Sequence, residues 1–270
     1  MDLSRAKNIL IIVFLALNSI LVYQLYLKQQ GDNDYTALME AEIQEVRELL
    51  NSQMINLNEE IPIETPELPF LNAERILVNS LEIRNNMLVK DEDIVISIEP
   101  GEGISYNWIS NDAMHIKAYN IENGVDDFAR QYLYKGRNYT LHQERLQKNS
   151  GQIVYLQAFN GYPIFGLSAT ANVDNNRVVN WQQNIVEEIK AEDTDRPILA
   201  AATALRSLPS KIEERPATIE SILLGYYNRS MEAESWLLPP VWGVTLDSGE
   251  QFYINAFTGE LEGLQEQIED

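Results

Sequence analysis

Hydrophobic positions along the chain fall into three regimes. From Asn8 to Leu27 the sequence reads NILIIVFLALNSILVYQLYL, twenty residues without a charge and with only Asn8, Asn18, Ser19 and Gln24 clearly polar. As a helix rising 1.5 Å per residue, such a run measures roughly 30 Å, the thickness of a hydrocarbon core. Arg5 and Lys7 precede it and acids follow at Asp32 and Asp34. This Lys/Arg bias predicts a transmembrane helix over 8–27, a cytoplasmic tail over 1–7 and the bulk of the chain outside the cell membrane. A cleavable signal peptide would need small residues at the exit, where Tyr23, Leu25, Tyr26 and Leu27 are bulky.

Asn18 lies near the middle of this run, where an amide costs free energy unless it finds a partner on another helix. Residues three, four and seven positions away, namely Phe14, Leu15, Leu21, Val22 and Leu25, form with it the face expected to meet a partner in the membrane. The plainer alternative is an Asn tolerated in a very apolar span, with Ser19 bonded to its own backbone.

The second regime, Tyr35 to Gln53, spaces Leu38, Ile43, Val46, Leu49 and Leu50 at close to 3.6 residues and predicts a juxtamembrane helix. Pro62, Pro66 and Pro69 then forbid a regular helix, so 28–69 is expected to be a helix followed by an extended linker. In the third regime short alternating runs are separated by turn residues. Strands are predicted at Asp93–Ile98, His115–Tyr119, Ile153–Phe159, Leu167–Val173 and Val178–Gln183, with turns at Asn160-Gly161 and Asp174-Asn175-Asn176 and a helix over Val125–Leu133. Further on, Thr194 or Asp195 is expected to cap a helix with Pro197 in its first turn, running through Ile198, Ala201, Ala202 and Leu205. Strands follow at Ala217–Tyr227, Trp236–Leu246 and Gln251–Asn255. The expected class is α+β: a transmembrane helix, then an extracytoplasmic domain of two helix-on-antiparallel-sheet modules, 70–190 and 191–270.

Charge narrows the partners. The net charge is −21, and beyond Lys28 the chain carries 17 basic and 40 acidic residues, or −23. Clustered Lys and Arg, which bind phosphate backbones, are missing, so nucleic acid is excluded as a partner. With no cysteine, disulfides, thiolate metal sites and thiol nucleophiles are excluded too. His115 and His142 stand 27 residues apart without a third ligand at metal-site spacing. Gly166-Leu167-Ser168-Ala169-Thr170 lacks the last glycine of a nucleophile elbow, and the acidic runs at 91–93 and 192–195 lack the calcium-loop pattern. No catalytic, cofactor-binding or metal-binding residue is therefore expected, and no enzyme. The four tryptophans lie in or beside predicted strands and read as packing residues before a ligand groove.

Several landmarks recur in one known order. Asp2, Ser4, Ala6, Lys7 and Ile9 precede the apolar run and Tyr23-Gln24 ends it; Gly161-Tyr162-Pro163-Ile164-Phe165, Val173-Asp174-Asn175, Leu224-Gly225-Tyr226-Tyr227 and Pro240-Val241-Trp242 follow. As a set they resemble the YycI (WalI) family, and Trp242–Leu246 with Tyr253–Leu261 is similar to the end of a PepSY-type module. The resemblance implies a regulator of the WalK/WalR (YycG/YycF) two-component system controlling cell-wall metabolism. It would act through contacts with the sensor histidine kinase and a YycH-like sister protein in a hetero-oligomeric membrane complex. It implies no catalytic residue. The competing expectation is a stand-alone PepSY-like binding module for a protease or wall ligand, with the helix as anchor only.

Overall fold

The computed structural model describes residues 13, 14, 17–21, 23, 38–74, 83, 85, 94–99, 103–108, 119–121, 124–184, 188–227 and 235–265. The chain forms two compact units, Met1–Gln53 and Met54–Asp270. In the first, the described residues between 13 and 23 are helical, and a second helix, α1, spans 38–52. On α1, Met39, Val46 and Leu50 are buried while Leu38 and Leu49 are exposed, so the covered stripe follows the helical repeat. Among the described residues no helix is long and apolar enough to cross a membrane; most of 8–27 lies outside them.

The second unit is mostly sheet. Its strands are β1 (Ile55–Leu57), β2 (Glu67–Leu68), β3 (Leu71–Glu74), β4 (Ile94–Glu99), β5 (Gly103–Trp108), β6 (Tyr119–Asn120), β7 (Tyr139–Gln147), β8 (Ser150–Phe159), β9 (Tyr162–Asp174), β10 (Arg177–Gln183), β11 (Glu188–Ala191), β12 (Arg196–Pro197), β13 (Ala217–Tyr226), β14 (Ser235–Leu238), β15 (Pro240–Leu246), β16 (Gln251–Asn255) and β17 (Leu261–Gln265). An antiparallel meander in the order β7-β8-β9-β10-β5-β4, with β6 beside β10, forms the first large sheet. Alternation builds it: Ile153 and Tyr155 of β8, Ala169, Ala171 and Val173 of β9 and Trp181 of β10 are buried on one face. Helix α2 (Val125–Tyr132) covers that face with Phe128, whose ring meets Trp181 edge-on at 5.3 Å and stacks on Tyr132 at 5.5 Å. Asp126 and Asp127 in its first turn and Arg130 in its last complement the helix dipole. The opposite face carries a carboxamide ladder. Gln152 Nε2 donates to Asn172 Oδ1 (3.2 Å), and Asn172 Nδ2 donates to Asn180 Oδ1 (2.5 Å).

The second sheet is centred on β13, flanked by β1 in parallel and β15 antiparallel, and continues through β16 to β17. One parallel pairing, Tyr226 opposite Ile164, joins it to β9 of the first sheet. Helix α3 (Ala201–Leu205) buries Ala201, Ala202, Ala204 and Leu205. Two smaller sheets, β11-β3-β14 and β12-β2, complete the described strands.

The architecture is mixed α+β, mostly sheet with few helices. The hairpin turns follow from their residues: Asn160-Gly161 and Asn175-Asn176 all have positive φ, as two-residue turns matched to strand twist require. Two expected elements differ. Arg196 and Pro197 are in β12 rather than a helix: they pair with Leu68 and Glu67. Leu199 N–H then donates to Ala256 O (2.7 Å) and Ala200 stays extended (φ −59, ψ 148), so neither Thr194 nor Asp195 caps a helix and α3 begins at Ala201. The strand expected over 236–246 breaks at Pro239 into β14, which joins β3, and β15, which joins β13. The strand expected at His115–Tyr119 lies outside the described residues but for Tyr119, in β6.

Candidate functional site

Of the expected membrane face, Phe14 and Leu21 are exposed (61% and 52%) and Asn18 is half-buried, all three in helical conformation. Leu15, Val22 and Leu25 lie outside the described residues. Ser19 has a polar or electrostatic interaction of its own.

In the second unit, the landmarks scattered through the sequence meet at the seam between the two large sheets. The Phe165 ring, 4% exposed, lies against Gly225 of β13 and Gly243 of β15: a β-carbon at either would come within 2.7 and 2.6 Å of it. Phe165 packs on Tyr253 of β16 at 5.0 Å, and Tyr253 stacks on Tyr227 at 4.0 Å. Gly263 leaves room for Tyr227, since a β-carbon there would lie 2.6 Å from its ring. Tyr162 meets Tyr226 edge-on at 6.5 Å. Aromatic rings lying over backbone glycines on neighbouring strands let the two sheets approach closely. Gly-Tyr-Pro-Ile-Phe, Leu-Gly-Tyr-Tyr and Pro-Val-Trp-Gly are thus pieces of one aromatic seam.

Hydrogen bonds fix α2 over its sheet. Tyr155 Oη donates to Val125 O (2.8 Å) and Tyr119 Oη to Gly124 O (3.1 Å) at the start of the helix. Past its end, the Gln183 carboxamide accepts from Tyr134 N–H (3.0 Å) and donates to Tyr134 O (2.7 Å), as a paired strand would. Burial pushes the hydroxyls of Tyr139, Tyr155, Tyr226 and Tyr253 well above the usual phenol range. The His142 imidazole on β7 is held below its usual value, first by burial and then by the nearby Arg145. Trp181, Trp236 and Trp242 are all buried, and Trp242 Nε1 donates to Leu199 O (2.9 Å), tying the approach to α3 onto β15. Among the described residues no three His, Asp or Glu side chains are grouped to hold a metal ion.

One cleft, of about 270 Å³, opens beside the turn between β8 and β9, lined by Asn138, Gln157, Ala158, Phe159, Asn160 and Ile189. The Asn160-Gly161 turn is legible in the sequence but this cleft is not, because it unites residues from three separate stretches of chain.

A family model described as YycI protein matches residues 34–257. The chain belongs to the YycI family. The match takes in every landmark of the aromatic seam up to Tyr253 and begins beyond the apolar run 8–27. Two solved structures are distantly similar to this YycI chain. One is the Bacillus megaterium YpeB C-terminal domain, with 13% identity and a TM-score of 0.41 over 69% of this chain and 94% of that one. The other is an uncharacterized protein from Eubacterium rectale ATCC 33656, with 12% identity and a TM-score of 0.42 over 78% of this chain and 91% of that one. No curated protein matches the chain in sequence. Membership of the family ties the chain to regulation of the WalK (YycG) system.

Proposed function

We propose that the chain is a single-pass membrane protein that modulates a WalK-like sensor histidine kinase, together with a YycH-like protein, through its N-terminal helix and its extracytoplasmic domain. The observation that carries this reading is the YycI match over residues 34–257, set directly behind an uncharged apolar run of membrane-spanning length at 8–27. On this reading the second unit is two helix-on-sheet modules, of which the C-terminal one, 191–270, is PepSY-like, and the chain works by binding rather than catalysis. Regulation then needs no more than unequal affinity for two conformations of the kinase. Each tenfold difference in that affinity is about 1.4 kcal/mol, within reach of one buried amide pair and a packed helix face in a bilayer.

The test is a helix exchange. Replacing 8–27 by an unrelated apolar helix of equal length, with the second unit intact, is expected to keep the protein in the membrane and abolish its effect on kinase output. Normal regulation by the exchanged protein would reduce the span to an anchor and leave the second unit as the sole contact.

A further inference from the structure

The meander sheet has one face under α2 and a second that the aromatic seam and the membrane helix leave unexplained. Strand register sets two rows of side chains next to each other on this second face. Arg145, Gln152, Asn172 and Asn180 form one row; Gln143, Val154, Thr170 and Gln182 form the other. Arg145, Gln152 and Gln182 are exposed and the other five half-buried, as on an open sheet face. On the far strand β4, Val95 (42%) and Ser97 are exposed on the same side. The bonds from Gln152 to Asn172 and from Asn172 to Asn180 run along the first row and hold its carboxamides in place.

Charge and chemistry select the occupant. Of these eight residues none is acidic and one, Arg145, is basic, whereas beyond Lys28 acids outnumber bases 40 to 17. Two chains of charge −21 repel one another, and they do so least where one row of amides meets another. A carboxamide carries donors and acceptors together, so a row of them is complementary to a second row of its own kind, as a two-fold contact requires. A single guanidinium is too few cations for a polyanion, and an added peptide strand takes a sheet edge rather than a face. None of the eight is aromatic, which leaves a sugar ring no platform to stack on. Six strands about 4.8 Å apart, each crossing the face over roughly 22 Å, present roughly 600 Å² in projection, of the order of the ~800 Å² each partner gives to a standard interface. Because the first row is already bonded within itself, it loses little further freedom on docking.

We infer that this face binds a second copy of the chain, face to face about a two-fold axis, with the rows from Arg145 to Asn180 and from Gln143 to Gln182 at its centre. The inference does not rest on the kinase reading, since it concerns the second unit and not what the membrane helix contacts.

The test uses the full chain in detergent micelles, its protein mass followed by light scattering and sedimentation equilibrium up to about 100 μM at 50 and 500 mM NaCl. Twice the chain mass of 30.9 kDa is expected, with a dimer Kd of about 10 μM or tighter at 500 mM NaCl and a weaker one at 50 mM, where the like charges are less screened. Gln152→Glu with Gln182→Glu, both at exposed positions, is expected to raise that Kd at least tenfold with an unchanged circular dichroism spectrum. Mixing this variant with Gln152→Lys, Gln182→Lys is expected to restore pairing, as a contact between these faces demands. In this cysteine-free chain, Thr170→Cys on the face is expected to give a dimer with a short bismaleimide, and Lys211→Cys, exposed elsewhere in the second unit, none. A monomer under all conditions, a dimer indifferent to the paired glutamates, or crosslinking from Lys211→Cys as ready as from Thr170→Cys would overturn the assignment. Exchanging 8–27 is expected to leave the dimer intact while abolishing regulation, so the two proposals fail separately.

Discussion

At the scale of single residues, two buried tyrosines of the same type have opposite energetic standing. Tyr155 Oη donates to the carbonyl of Val125, whereas Tyr226 Oη, in a fully buried side chain, has no hydrogen-bond partner among the described residues. Removing a made bond loses about 1 kcal/mol, while removing an unpaired hydroxyl costs little. Tyr155→Phe is therefore expected to destabilise by about 1–2 kcal/mol in urea unfolding, and Tyr226→Phe to be neutral or stabilising. Equal losses in both would show that the two hydroxyls are equivalent. The raised hydroxyls of Tyr139, Tyr155, Tyr226 and Tyr253 bear on pH. Folded pKa values above the unfolded value of about 10 mean that the neutral phenols contribute in full below that pH; the contribution falls as pH rises through and beyond it. Alkaline titration is expected to unfold the protein above about pH 10, with phenolate absorbance at 295 nm rising in the same step as near-UV dichroism is lost. Phenolate from these buried residues appearing while the dichroism persists would contradict their burial. His142 acts in the opposite range: with its folded value depressed, stability present above about pH 6.5 is lost as pH falls below it.

At the scale of elements, legibility depended on whether local pattern and tertiary demand agreed. Strands β8 to β10 were readable because Ile153, Tyr155, Ala169, Ala171 and Trp181 alternate with polar residues and the turns are Asn-Gly and Asn-Asn. Strand β7, YTLHQERLQ, was not, since it sits at the edge of the described sheet and most of its side chains are partly or fully exposed, without alternation. The segment 194–200 carries a plausible cap and a first-turn proline, yet pairing of Arg196 and Pro197 with β2 and the bond from Leu199 to Ala256 hold it extended. Such long-range partners leave no mark in local sequence. The glycines of the seam could be read as landmarks but not explained, because what they accommodate, the Phe165 ring, comes from a strand about sixty to eighty residues away in sequence. Gly243→Ala is expected to destabilise by about 1–3 kcal/mol through overpacking against Phe165, with Phe165→Leu in the same chain restoring part of the loss. Additive losses in the double variant would show that ring and glycine do not share space.

At the scale of the whole molecule, the second unit is a sheet-rich body whose recognisable features resolve into packing: the aromatic seam, the tyrosine bonds to α2 and the buried tryptophans. Its cleft beside the β8–β9 turn was invisible in the sequence because Asn138 and Ile189 reach the Gln157–Asn160 stretch only once β7, β8 and β11 are placed. The family was legible from the order of the landmarks, and the match over 34–257 establishes it. What membership leaves to experiment is the role of residues 8–27. The most direct measurement exploits the absence of native cysteine: single cysteines placed from Phe14 to Leu25 in the full chain, co-expressed with the kinase and oxidised in intact membranes. The account predicts disulfide crosslinks to cysteines in the kinase spans at Phe14, Asn18, Leu21 and Leu25, weaker ones at Leu15 and Val22, and none at Ala16, Ile20 or Tyr23 on the opposite side of the helix. Crosslinking without helical periodicity, or none to the kinase at any position, would contradict it.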